Sequence, residues 1–251
     1  MDWSKIKNII IIFLIVLNIF LLVMMGVTTF RESYISPDIL KAALNVLKQD
    51  GFLCDEDIMP DMYIDAVVLK TEFYSAIELS EIFYKKQVPF RTSKNTLIAE
   101  NNGSKLSVSS NYFLFESGSS SVKASELKLR HALWKAGIDM SYSVFDDETG
   151  YFYMMHRSNN LFNMYLNAQL DSSGNLCRVE AQWPKSVKPS SRKRISFCDK
   201  AVALSSYFQA AGRIREIELG YELKSVSEDS FLFEPSWRVS TDNETQIIPA
   251  V

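Results

Sequence analysis

Nineteen consecutive residues, Ile9 to Val27, carry no charged side chain. As a helix rising about 1.5 Å per residue, such a run measures roughly 28 Å, against a bilayer hydrocarbon core of about 30 Å. A helix buried in a soluble core is shorter and keeps a polar stripe, which this run lacks. A cleavable signal peptide has an apolar stretch of about 7–15 residues that ends in a small-x-small site. Here the run closes Met24-Met25-Gly26-Val27-Thr28-Thr29-Phe30, without such a site, and the first cysteine is Cys54, too late for a lipoprotein signal. The segment therefore reads as a retained single transmembrane helix over 9–30, behind a cytoplasmic tip of residues 1–8. Lys5 and Lys7 precede it, whereas Arg31 and Glu32 follow it as a neutral pair. The positive-inside rule then places the N-terminus in the cytoplasm and the rest outside the cell membrane, with Trp3, Lys5 and Lys7 at the membrane interface. Asn18 sits near the centre of the run. An amide in hydrocarbon is unfavourable without a hydrogen-bond partner, which a second membrane helix would supply; a lone Asn is also tolerated in a sufficiently apolar span.

Beyond the run the composition is that of a globular protein, with 47% hydrophobic and 23% charged residues, which excludes a disordered chain. Once Lys5, Lys7 and Asp2 are set aside, residues 31–251 carry 25 basic and 29 acidic side chains. That balance argues against nucleic acid as a partner. Three cysteines, Cys54, Cys177 and Cys198, are too few for a disulfide framework; a Cys177–Cys198 bridge is compatible with the sequence but not required by it.

The spacing predicts four further helices. Ser36-Pro37-Asp38 supplies an N-cap, a proline at N1 and an acid in the first turn, followed by Leu40, Ala43, Leu44 and Leu47 and closed by Gly51. Ser75 and Glu78 form a capping-box pattern ahead of Leu79, Ile82 and Phe83. A third helix runs from Ser125 to Gly137 with Leu129, Ala132, Leu133 and Ala136 inward. A fourth starts near Ser191, with Phe197, Ala201, Leu204, Phe208 and Ala211 on one stripe before Gly212. Between them the period falls to two: Phe162 to Leu170, a turn at Asp171–Asn175, then Leu176 to Trp183; strands around Val144 and Phe152 joined by Asp147-Glu148-Thr149-Gly150; and Ile217, Leu219, Tyr221 and Leu223. Helices packed on antiparallel β-meanders account for both periods, so the predicted fold class is α+β. The polar run Glu116 to Ser121 marks a boundary between an extracytoplasmic lobe over 31–120 and a second over 121–251.

Residues for catalysis are sparse. His131 lies beside the apolar stripe of the third helix and His156 ends a strand, and neither has metal-ligand or nucleophile partners at suitable spacing. Asp146, Asp147 and Glu148 cluster without the pattern of a calcium loop, and no nucleophile elbow or phosphate-binding glycine loop occurs. The expectation is a protein that is not an enzyme and takes no cofactor. The stretch 185–194, with Lys185, Lys188, Arg192, Lys193 and Arg194, reads as a solvated loop or as a contact for an anionic wall polymer.

The opening Met1-Asp2-Trp3-Ser4-Lys5-Ile6-Lys7-Asn8, followed by Leu17-Asn18-Ile19-Phe20-Leu21 in the apolar run, resembles the N-terminus of the YycI (WalI) family. Glu218-Leu219-Gly220-Tyr221 and Pro235-Ser236-Trp237-Arg238-Val239 are similar to that family's C-terminal pattern, from which the chain departs after Val239. The resemblance implies PepSY-like extracytoplasmic lobes. It also implies a regulatory protein of the WalK/WalR (YycG/YycF) two-component system, which controls cell-wall metabolism. The partners it implies are the sensor histidine kinase and a YycH-like protein. Contact with the kinase would be made by Asn18 and its helical neighbours Leu14, Leu21, Leu22 and Met25. The alternative is a membrane-anchored extracytoplasmic binding module, a protease inhibitor or wall-fragment binder, independent of the kinase.

Overall fold

Helices begin where the chain supplies a cap. The computed structural model describes residues 3–156, 158–227 and 230–251 and opens with α1 (Trp3–Ser33) and α2 (Pro37–Gln49). Ser36 Oγ accepts from Ile39 N at 3.4 Å, Pro37 takes the N1 position, and Gly51 turns the chain at φ +87°. After β1 (Ile64–Phe73) comes α3 (Ala76–Tyr84), where the capping box is complete: Glu78 N donates to Ser75 Oγ and Ser75 N to Glu78 Oε2. The strands β2 (Arg91–Ser93), β3 (Thr96–Asn101), β4 (Ser104–Val108) and β5 (Phe113–Glu116) lead to α4 (Glu126–Ala136). Gly137, at φ +98°, closes α4 with its N–H on Leu133 O. There follow β6 (Ser143–Asp146), β7 (Tyr151–His156), β8 (Asn159–Leu170), β9 (Leu176–Gln182), β10 (Pro184–Ile195), α5 (Cys198–Ala201), β11 (Ile214–Ser227), β12 (Ser230–Thr241) and β13 (Thr245–Pro249).

The chain divides into two units. The first comprises Met1–Ala66, Arg194–Ile217 and Ser240–Gln246. Its small core packs α2 on α5, with Leu47, Phe197, Ala201 and Leu204 fully buried and Phe52 meeting Phe208 edge-on at 5.4 Å between ring centroids. Leu53 and the 212–214 segment exchange backbone hydrogen bonds, and Arg213 Nη2 bridges both carboxylate oxygens of Asp55 at 2.7 and 3.0 Å.

The second unit comprises Val67–Lys193, Glu218–Val239 and Ile247–Val251 and holds most of one large sheet. Its strands run in the order β10-β1-β12-β11-β8-β9-β5-β4-β3-β2, with β7 also on β8, β6 on β7 and β13 on β12. The helices α3 and α4 cover one face through Leu79, Leu129 and Leu133, which meet Phe113, Leu166, Val179 and Ala181 from the strands. The even-numbered residues Met164, Leu166, Ala168 and Leu170 of β8 are buried there, as period two requires. The other face of β7, β8 and β9 is set by register: Val144, Tyr153, Tyr165 and Gln182 form one row, and Asp146, Tyr151, Asn167 and Glu180 the next.

Three expectations are corrected. Strand occupies 45% of the chain and helix 24%, so a mixed sheet dominates the α+β fold in place of helix-on-meander lobes. Within it β11 runs parallel to β8, pairing Gly220 with Asn160 and Tyr221 with Leu161, a pairing that alternation in single strands does not reveal. Second, among the described residues no helix is long and apolar enough to cross a membrane, which overturns the single transmembrane helix. Ile9, Ile10, Gly26 and Val27 lie outside the described side chains. Third, the long fourth helix does not form. Pro189 lacks a donor and biases its predecessor toward extended backbone, and 184–195 is strand β10. The apolar stripe Phe197, Ala201, Leu204 and Phe208 is buried nonetheless, delivered by the one-turn α5 and a 3₁₀ turn at Leu204–Ser206.

Candidate functional site

The candidate residues of α1 lie on its surface. Leu14, Leu21, Leu22 and Met25 are 49–70% exposed, as are their neighbours along the helix to a similar degree. Asn18 is exposed too, and its Nδ2 donates to Leu14 O at 2.8 Å, so one amide proton is used within the helix. The other proton and the carbonyl oxygen remain as the groups by which an amide engages a neighbour. Lys7 is exposed; the side chains of Trp3 and Lys5 lie outside the described residues.

The two C-terminal segments singled out in the sequence come together in the second unit. Gly220 on β11 runs so close to β8 that a Cβ there would lie 2.6 Å from Asn160 O and closer still to the Phe162 ring. Beside it Glu218 accepts from Asn160 Nδ2 and pairs with Arg238 of β12, whose guanidinium lies 5.1 Å over the Phe162 ring. A cavity of about 640 Å³ opens against this cluster, lined by Tyr151, Tyr153, Tyr165, Asn163, Glu180 and Arg238 among others. The β7–β8 register shifts between Tyr153 and Met155, and Asn163 takes φ +64°, as asparagine tolerates better than most residues. Tyr151 and Tyr165 meet at 5.7 Å between centroids. Burial, then the Glu180 carboxylate and Tyr151, raise the Tyr165 phenol above its ordinary value, so it stays a neutral donor at physiological pH. Arg238 and Glu180 are already in ion pairs, with Glu218 and Arg178. The cavity thus offers aromatic faces and hydrogen-bonding groups in place of a free acid–base pair.

A second cavity, of about 760 Å³, lies between α3, α4 and the β8–β9 turn. Its chemistry is that of an apolar floor with a cationic rim. Both cavities are assembled by strand register and helix placement between residues distant in the chain; the recurrence of tyrosine at 151, 153 and 165 is the one local trace of the first.

The remaining candidates are accounted for locally. His131 is exposed beside Trp134, and half-buried His156 meets the Tyr221 ring edge-on at 6.0 Å. Asp146 closes its turn, accepting from Glu148 N at 2.9 Å and Thr149 Oγ1 at 2.8 Å, bonds that hold its carboxyl below the ordinary range. Among the described residues no group of histidine, cysteine, aspartate and glutamate is placed to hold a metal ion. All three cysteines are free thiols. The basic stretch Lys185–Arg194 is the strand β10 at one end of the sheet order, its side chains exposed from Lys188 to Arg194.

No family model matches the chain. No curated protein matches it. A crystal structure of an uncharacterized protein from Eubacterium rectale is similar over 83% of this chain and 94% of that one, at 11% identity and a TM-score of 0.39.

Proposed function

We propose that this chain is a non-catalytic accessory regulator at the cell membrane, acting through the surface of α1 on a WalK (YycG)-type sensor histidine kinase with a YycH-like partner. The observation that carries this reading is the surface of α1: fifteen residues, Ile11 to Met25, all exposed, and polar only at Asn18. Exposed apolar area of that extent is unfavourable in water at about 25 cal/mol per Å², and membrane or partner helices remove it. The opening Asp2-Trp3-Ser4-Lys5 sequence and its resemblance to the YycI family point to the kinase as the partner.

A bound regulator changes a kinase only by favouring one signalling state over the other. An interhelical amide bond of about 0.6–2 kcal/mol, made in one state alone, shifts that balance roughly 3- to 30-fold. Asn18→Leu keeps the helix apolar and removes the bond. The variant is expected to lose kinase co-purification and to alter transcription of the kinase's regulated genes; undiminished association would refute the contact.

The second reading, a binding module independent of the kinase, is favoured by the tyrosine-lined cavity, since aromatic faces beside hydrogen-bonding side chains suit sugar rings of a wall fragment. Exchanging residues 9–27 for an unrelated apolar helix separates the two. Loss of regulation with intact membrane retention supports the first reading, and preserved function supports the second.

A further inference from the structure

The cavity between α3, α4 and the β8–β9 turn has a definite chemistry. Phe83 and Phe115 stack at its floor with centroids 4.3 Å apart and rings within 7° of parallel. Ala132 and Ala136, four residues apart on α4, leave that floor open, and Leu127, 79% exposed, projects at its margin. Three lysines line it: Lys128 and Lys135 from α4, and Lys85 from the left-handed C-cap of α3 at φ +58°. No acidic side chain is among the described residues lining it. The nearest carboxylate in the turn, Asp171, is turned into its own backbone, accepting from Ser173 N and Asn175 N at 2.9 Å each. A local excess of three positive charges thus stands over an aromatic floor in a chain whose net charge is −3.

We infer that this trough is a docking site for an acidic amphipathic helix of a partner protein. The argument is charge complementarity combined with shape. The lysine rim demands carboxylates, and the phenylalanine floor demands apolar side chains on the same face of the ligand. Lys128 and Lys135 are seven residues apart, two turns and about 10.5 Å of helix, so carboxylates seven residues apart on the partner match them in register. The exposed rim makes the site an open trough, which admits a helix laid along it; a single acyl chain is better held in an enclosed tunnel. The inference goes beyond the proposed function and does not depend on it, because neither α1 nor the kinase takes part.

The test uses the full chain in phosphatidylcholine nanodiscs and a fluorescein-labelled helical peptide with leucines at i+3 and i+4 and glutamates at i and i+7. Anisotropy is expected to report saturable binding that weakens with added salt. Lys128→Glu/Lys135→Glu is expected to weaken it at least tenfold, whereas Lys188→Glu on β10 leaves it within twofold. A peptide with lysine in place of both glutamates is expected to bind at least tenfold more weakly. The inference is overturned if the double variant binds normally, if the lysine peptide binds equally well, or if no peptide binds. It is also overturned if anionic phosphatidylglycerol in the discs captures the trough instead, seen as lysine-dependent lipid binding without competition by the peptide. Asn18→Leu leaves the peptide titration unchanged, so this result and the kinase result stand apart.

Discussion

Replacing Gly220 by alanine gives the sharpest test of the packing described above, because two effects of opposite sign compete. Gly220 is buried in β11, and its φ lies outside the left-handed range, so alanine suits its backbone. On chain entropy alone, Gly→Ala at such a position stabilises by about 0.4–1 kcal/mol. The added Cβ, however, would sit 2.6 Å from Asn160 O and against the Phe162 ring. The ring can move; the backbone oxygen, fixed by the parallel β8–β11 pairing, moves only with its strand. Overpacking of this kind costs about 1–3 kcal/mol, so net destabilisation of about 1–2 kcal/mol is expected. For a chain of this size that corresponds to roughly 2–8 °C in Tm. Trp183 and Trp237, both buried in the same unit, report its melting by fluorescence. Phe162→Ala alone should cost about 3–5 kcal/mol, and the double variant less than the sum, because the ring that clashes has gone. An unchanged or raised Tm in Gly220→Ala, or strict additivity in the double variant, would refute the close approach.

Other outcomes follow from single side chains. The Glu78 carboxyl is held below its ordinary value, first by Lys185 and then by Ser75. A depressed folded-state pKa contributes stability that is complete above the unfolded value near 4.3 and is lost as pH falls. Glu78→Ala, at an exposed ion pair and capping box, should cost about 0.5 kcal/mol at pH 7, with the gap to the parent narrowing below pH 4 in thermal melts; a gap that widens would contradict the assignment. Burial, then Asp55 and Asp57, push the Cys54 thiol up to about 11. Its alkylation by iodoacetamide at pH 8 should be about a hundredfold slower than that of a free cysteine, and Asp57→Asn should speed it; reaction at the free rate would exclude this environment. Asn18→Leu and the charge reversal at Lys128 and Lys135 are tested as described above.

Local signals carried far along this chain. Ser36, Ser75, Gly51 and Gly137 each mark a helix end that the structure contains, because caps and left-handed stops are decided within a few residues. The buried faces of α2 and α4 and the alternation of β8 were legible for the same reason. What was not legible was set by distant partners. Phe197, Ala201, Leu204 and Phe208 fit a helical period and are buried, yet two short turns deliver them, since burial constrains which residues face inward more than the element that presents them. The parallel contact of β11 with β8 joins residues about sixty positions apart, and the meaning of Gly220 emerges only there. Similarly, Lys85 and Lys135 belong to different helices in the sequence and to one rim in the fold.

The placement of β10 has a consequence for how this protein behaves at high concentration. The strand terminates the sheet order, and an edge strand of this length is a place where another chain can add a strand of its own. Its exposed residues include Lys188, Pro189, Arg192 and Lys193, so a second copy approaching edge to edge meets like charge at several positions and a missing N–H at one. A stretch that reads as a binding motif in the sequence therefore also guards the sheet against self-association. Neutralising those cations would be expected to appear first as loss of solubility.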